Sequence, residues 1–223
     1  MQALNFNITE KATRIVSQFL DKRLPPESDF DRLLVDDLRS RFRSLPEMSG
    51  QGEISVESSW MANLSRLRDL VLNDDPRGFL QWDVIRETMF VASAPYLRSE
   101  LKFLKNQPNW SSRWKAAIRE SPTGNPPVYP FKWASSGNLI HHAYHVARYE
   151  EWSGVAINEL NFVFEFGGGY GSMCRLFRNL GFKGRYVIFD LPHFSALQEF
   201  YLKSQEIKVY DSPVTAPLDE FGC

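Results

Sequence analysis

The stretch Phe164-Glu165-Phe166-Gly167-Gly168-Gly169-Tyr170-Gly171-Ser172 decides the fold together with Tyr186-Val187-Ile188-Phe189-Asp190-Leu191-Pro192 further along the chain. In the first, an apolar run (Phe162, Val163, Phe164) ends in an acid and gives way to a turn with four glycines and a helix-like segment. In the second, another apolar run ends in Asp190. Strand, glycine turn, helix and strand form one βαβ unit. Glycines let the backbone approach a ligand closely, a helix N-terminus offers free N–H groups, and an acid after the second strand accepts hydrogen bonds from ribose hydroxyls. The pair of stretches therefore reads as a cofactor site.

Outward from this unit, the pattern after Gly154 predicts a strand over 160–166, a helix over 170–180, a strand over 185–190, a helix over 193–204 and a short strand over 207–210. Gly181 stands where a helix C-terminal glycine belongs, and Gly184 closes the turn into the second strand. The residues before Gly154 show helical spacing without strand alternation. Thr9 caps a helix carrying Ile15, Phe19 and Leu20, and Ser28 with Asp31 forms a capping box ahead of Leu33, Leu34, Leu38 and Phe42. After a loop from Pro46 to Gly52, further helices are expected over 56–72, 79–92, 96–105, 112–119 and 138–152. The turn-rich segment 121–130 is expected as a linker or a substrate loop. The chain thus divides into a helical N-terminal region, 1–154, and a partial Rossmann-like domain, 155–223, within the α/β class.

The 26 Lys+Arg nearly balance 27 Asp+Glu, leaving a net charge near −1 and no basic stripe suited to neutralising phosphates. Nucleic acid is not expected as a partner, and neither is a membrane, since no apolar stretch approaches the length of a span. The N-terminus lacks a basic region followed by an apolar one, which predicts a cytoplasmic protein. Two cysteines, Cys174 and Cys223, are too few for a disulfide framework or a zinc cluster, and Cys174 is expected to be packed. All six tryptophans precede the βαβ unit, and most are expected in the core rather than lining an acceptor.

Spacing separates two cofactor classes. A dinucleotide turn wants G-x-G-x-x-G, whereas Gly167, Gly169 and Gly171 give G-x-G-x-G with Ser172 in the sixth place. Glu165 would repel a pyrophosphate but suits a ligand carrying an ammonium group, such as the methionyl tail of S-adenosylmethionine. An NAD-dependent oxidoreductase is the second enzyme reading, and a non-catalytic helical interaction module with a degenerate nucleotide-binding fold is the third.

Residues 165–171, Glu-Phe-Gly-Gly-Gly-Tyr-Gly, resemble motif I of class I S-adenosylmethionine-dependent methyltransferases, and Phe189-Asp190-Leu191-Pro192-His193 resembles the second-strand signature of their O-methyltransferase branch. The layout, a helical region ahead of the sheet, is most similar to bacterial sugar O-methyltransferases. The resemblance covers about residues 158–211 and implies the first half of a Rossmann-like methyltransferase sheet. It implies S-adenosyl-L-methionine as cofactor and a hydroxyl of a sugar or sugar-derived molecule as acceptor. It also implies that Glu165 faces the methionyl amino group and that Gly167, Gly168, Gly169 and Gly171 pass under the cofactor. Asp190 would hold the ribose hydroxyls, Leu191 would border the adenine, and Asp211 would approach the adenine amino group. An unliganded tight turn, an Asp190 that caps the next helix and an Asp211 that is an ordinary turn residue are the plain alternatives.

An oxygen acceptor benefits from a general base or a metal. His141 and His145 share a helix face one turn apart and are the catalytic candidates, as a base or half a metal site. The run His141-His142-Ala143-Tyr144-His145 is not H-E-x-x-H, no metal site is assigned, and structural histidines are the favoured reading. His193 is expected to cap its helix or flank the cofactor, and Arg148, Glu150 and Glu151 are expected on a solvated helix face. A class I sheet has more strands than this sequence supplies, so the chain is expected to be C-terminally truncated, with an unpaired sheet edge, an open apolar face, weak cofactor binding and little turnover.

Overall fold

The computed structural model describes residues 24–46, 56–91, 94–132 and 134–211. The expected Thr9 helix, most of the Pro46–Gly52 loop, Trp133 and Cys223 lie outside them. Helix α1 is Asp29–Ser44, opened by the expected capping box: Ser28 Oγ accepts from Asp31 N at 3.0 Å and the Asp31 carboxylate accepts from Ser28 N at 3.0 Å. Its buried face is Val35, Leu38 and Phe42, a helical spacing, whereas Leu33 is 70% exposed. Helix α2, Val56–Asn73, buries Leu64, Leu67 and Val71 against it.

The single helix expected over 79–92 is instead a 3-10 turn, Pro76–Gln81, and a short helix α3, Asp83–Thr88, divided at Trp82 by extended backbone. Tertiary hydrogen bonds explain the division. Leu80 N donates to Gly124 O at 2.9 Å and Gly124 N donates to Arg77 O at 2.9 Å, so the chain pairs with the 121–130 segment instead of continuing its own ladder. Gly124 sits at φ 81° with the Leu80 side chain 2.7 Å from where a Cβ would stand. That segment is packed against the helices.

Helix α4 is Leu97–Lys105; the helix expected over 112–119 is a π-helical turn, Trp110–Trp114, running into a short α-turn, Lys115–Ala117. Helix α5, Gly137–Ser153, is capped by Ser136 Oγ, which accepts from Leu139 N, and ends at Gly154 in the left-handed region, φ 70°.

Strand β1, Phe162–Phe166, and strand β2, Arg185–Phe189, pair in parallel with Phe162 opposite Arg185 and Phe166 opposite Phe189. Helix α6, Ser172–Asn179, connects them and helix α7, Pro192–Lys203, follows. Gly181 adopts φ 91°, as its place after α6 predicts. The short strand expected over 207–210 does not form: Ile207 N is taken by Leu202 O at 3.1 Å, and Ile207 and Val209 pack on the core instead of pairing. The sheet among the described residues therefore has two strands.

One face of this sheet is covered, with Tyr186 buried and Val163, Glu165 and Ile188 partly so. The other bears Phe162, Phe164, Phe166 and Phe189, all exposed, with Phe166 and Phe189 stacked at 5.7 Å between centroids. The expected open apolar face is present among the described residues. One continuous hydrophobic core runs from Val35 in α1 to Leu202 in α7. Ion pairs tie its parts: Arg41 of α1 to Glu199 of α7 at 2.7 Å, and Arg175 of α6 to the buried side chain of Glu120 at 3.4 Å. Trp114 is in the core and Trp82 and Trp110 pack against it, but Trp60 is 41% exposed and Trp152 is 89% exposed, so the expectation of core tryptophans fails at the latter two. Among the described residues no helix is long and apolar enough to cross a membrane.

Candidate functional site

The turn between β1 and α6 is built almost wholly from backbone. Gly167, Gly169 and Gly171 hold φ of 73°, 58° and 88°, which L side chains rarely adopt. Gly168 is required for a different reason, since a Cβ there would stand 2.5 Å from Ile188 Cγ2 and 3.3 Å from Glu165 Oε2. Gly167 N donates to Phe189 O at 2.9 Å, which ties the start of the turn to the end of β2. Gly171 N donates to Gly168 O at 2.9 Å, and α6 then begins at Ser172. The helical region supplies the other wall: Met89 Cβ lies 3.6 Å from where a side chain at Gly169 would begin, and the Phe90 and Tyr170 rings stack with centroids 6.3 Å apart.

Both acids stand at this turn. Asp190 Oδ1 accepts from Leu191 N at 2.8 Å, and Oδ2 accepts from Gln198 Nε2 at 2.8 Å; the same Gln198 nitrogen donates to Gly169 O at 3.0 Å. Burial raises the Asp190 carboxyl above its ordinary value, and hydrogen bonds from Leu191, Gln198, Gly169 and Gly168 oppose it. Glu165 accepts from Tyr186 Oη at 2.8 Å. Its carboxyl is also raised, first by burial and further by the charge of Asp190, against the Tyr186 hydrogen bond. Leu191 is the residue capping α7 and is 44% exposed beside Asp190. Asp211 is turned elsewhere: it accepts from Arg41 at 3.1 Å on the surface.

Helix α5 presents two histidine environments. His142 Nδ1 lies 2.7 Å from Ser172 Oγ, the first residue of α6, and Asn138 Nδ2 donates to Tyr170 Oη at 3.0 Å and to Ser172 Oγ at 3.3 Å. Burial, with the neighbouring His141 and His145, pushes the His142 imidazole down to about 4. A neutral ring is thus part of the support under the glycine turn. On the adjoining face, His141 Nδ1 lies 3.0 Å from both carboxylate oxygens of Glu100, a buried residue of α4, and His141 Nε2 lies 3.2 Å from His145 Nε2. Burial also lowers His145, as does His141, while Glu100 opposes them. Tyr96 flanks His141 at 5.2 Å and Tyr144 flanks His145 at 5.5 Å between ring centroids.

Other expectations are corrected. His193 does not cap α7; its ring is buried edge-on against Phe42 of α1 at 5.5 Å, a partner distant in sequence that draws it into the core. Glu150 is not on a solvated face, since its carboxylate takes a bidentate grip from Arg113 at 2.6 Å and accepts from Ile157 N at 2.8 Å. Arg148 and Glu151 do pair on the surface. Cys174 is fully buried, as expected. Gln198, Tyr186 and Glu100 were missed in the sequence. Gln198, eight residues after Asp190, lies two turns along the helix that Pro192 begins, which is the one signal that places it near the acid.

No family model matches this chain, and no curated protein or solved structure is significantly similar to it. The site's chemistry therefore stands on its geometry. Two carboxylates at the C-terminal ends of adjacent parallel strands flank a turn whose backbone can approach a ligand, the usual ligand position of an open α/β sheet.

Proposed function

We propose that this chain binds S-adenosyl-L-methionine at the Glu165–Gly171 turn and Asp190, as an O-methyltransferase acting on a hydroxyl of a sugar or sugar-derived acceptor. The observation that carries the reading is the meeting of Glu165, Asp190 and three positive-φ glycines on one turn between parallel neighbours. Glu165 faces the methionyl ammonium, Asp190 takes the ribose hydroxyls, and Leu191 borders the adenine. In the transfer, the acceptor oxygen bonds to the methyl carbon as the carbon–sulfur bond breaks, its electron pair stays on sulfur, and the acceptor proton passes to a base. His141 and His145 turn toward Glu100 on α4, whereas it is His142 that meets the turn at Ser172, so neither His141 nor His145 is assigned that role. With two strands in the described sheet, affinity is expected to be weak and turnover low.

The test is a thermal-shift and calorimetric titration with S-adenosylmethionine, S-adenosylhomocysteine and NAD, followed by turnover on a sugar panel. A ligand that prefers the folded state raises the melting point. The first two are expected to do so and NAD is not, and Asp190→Ala is expected to weaken binding about tenfold or more, the loss of one charged hydrogen-bonding partner. A shift with NAD alone, or none with S-adenosylmethionine, would sink the reading.

A further inference from the structure

His141 and His145 project from successive turns of α5 so that their Nε2 atoms face each other at 3.2 Å. Two imidazole nitrogens at about 2.0–2.1 Å from one tetrahedral zinc lie about 3.3 Å apart. The rings are thus already at the spacing of two ligands on a single ion. Glu100, buried on the neighbouring helix, fixes which nitrogen is available: its carboxylate faces His141 Nδ1 at 3.0 Å, accepts that N–H, and leaves Nε2 as the lone pair turned to His145. A carboxylate behind the distal nitrogen of a ligating histidine is the usual support that orients the ring and raises its basicity. Glu100, His141 and His145 also offer ligand atoms that all lie within 4.8 Å of one another.

We propose that His141 and His145 bind a divalent transition-metal ion of the zinc class through their Nε2 atoms, with Glu100 positioning His141. The ion takes the place of the one proton shared between the two rings. Two protein nitrogens leave the remaining coordination positions to water or a ligand oxygen, and His145 is exposed, so the ion reaches the site from solvent. Imidazole ligands select Zn²⁺, Cu²⁺, Ni²⁺ and Co²⁺ over Mg²⁺ or Ca²⁺, which prefer oxygen. The other two histidines do not compete: His142 is bonded to Ser172 and His193 is buried in the core. The proposal is independent of what binds at the glycine turn.

The experiment is calorimetric titration of the full chain with Zn²⁺ alone, and with Co²⁺ alone read by visible absorption. Saturable uptake of one ion per chain is expected, with a tetrahedral-type Co²⁺ band. His145→Ala, an exposed position, is expected to abolish the band and weaken Zn²⁺ binding at least tenfold, and His141→Ala to do the same. Glu100→Gln is expected to cost about tenfold while keeping the band, the effect of losing a supporting carboxylate. Circular dichroism and melting curves establish that each variant is folded, and Mg²⁺ is expected to give no heat. Unsaturable uptake by the parent chain, or uptake unchanged in the folded His145→Ala chain, would overturn the site. Unchanged affinity in folded Glu100→Gln would overturn the positioning role.

Discussion

His141 and His142 are adjacent on one helix, yet the structure gives them opposite surroundings. His142 points at the turn side, where Ser172, Asn138 and Tyr170 lock α5 beneath the glycines. His141 points at the α4 side, where its partners are a buried carboxylate and an exposed ring. On the turn side, side chains serve a site whose working surface is backbone. On the α4 side, the side chains themselves are the chemistry. Residue type is the same in both; the 100° step between successive helical positions decides the role.

The sharpest way to break this contrast is to truncate both kinds of histidine. His142→Ala removes a largely buried ring and one partner of Ser172, and is expected to cost about 3 kcal/mol in denaturant unfolding. His145→Ala, on the exposed side, is expected to stay within about 0.5 kcal/mol. Equal costs would erase the distinction. The pH dependence follows from the same burial. With a folded value of about 4 against 6.5 ordinarily, the unfolded chain binds more protons at His142 between those values. This contribution to stability is therefore fully present above pH 6.5 and is lost as pH falls through about 4. The full shift corresponds to about 1.36 kcal/mol per unit; because the ring keeps some contact with water, about 2 kcal/mol in total is expected. Buried carboxyls such as Glu120, which burial raises, contribute with the opposite sign, so the measure is the difference in pH slope between the parent chain and His142→Gln.

Much of this architecture was legible because it is local. The Ser28–Asp31 box, the strand–turn–helix–strand order and the glycines at positive φ each follow from a few neighbouring residues. The meeting of Glu165 with Asp190 was legible too, because parallel pairing of equal-length strands brings their ends together. What was hidden depends on partners distant in sequence. The break at Trp82 is caused by Gly124, the capture of Ile207 replaces an expected strand, and Glu100 meets His141 across two helices. Only the fold supplies those pairings. His193 was misread for the same reason: a helix start gives the residue's place along the axis, while the position of Phe42 decides which way its ring turns.

The turn side can be sharpened further by separating two reasons for glycine. Gly168→Ala places a methyl group against Ile188 Cγ2 at 2.5 Å and is expected to cost about 2 kcal/mol by overpacking. Gly169→Ala meets nothing closer than Met89 Cβ at 3.6 Å, so only its φ of 58° is strained, and about 1 kcal/mol is expected. Denaturant midpoints in that order support a turn shaped by its neighbours as well as by its own dihedrals; the reverse order would leave dihedral strain as the sole reason for the glycines.

The smallest effect is expected at Asp211. It is an exposed partner of Arg41, and Arg41 retains Glu199 at 2.7 Å when Asp211 is removed. A surface ion pair that leaves no buried charge behind is worth little, so Asp211→Ala is expected to change stability by less than about 0.5 kcal/mol. Because Asp211 is held on Arg41 and not at the glycine turn, the same variant is also expected to leave S-adenosylmethionine affinity unchanged in a calorimetric titration. A tenfold loss would mean that Asp211 leaves Arg41 when ligand binds, and would add to the turn side a group that the present geometry assigns to the surface.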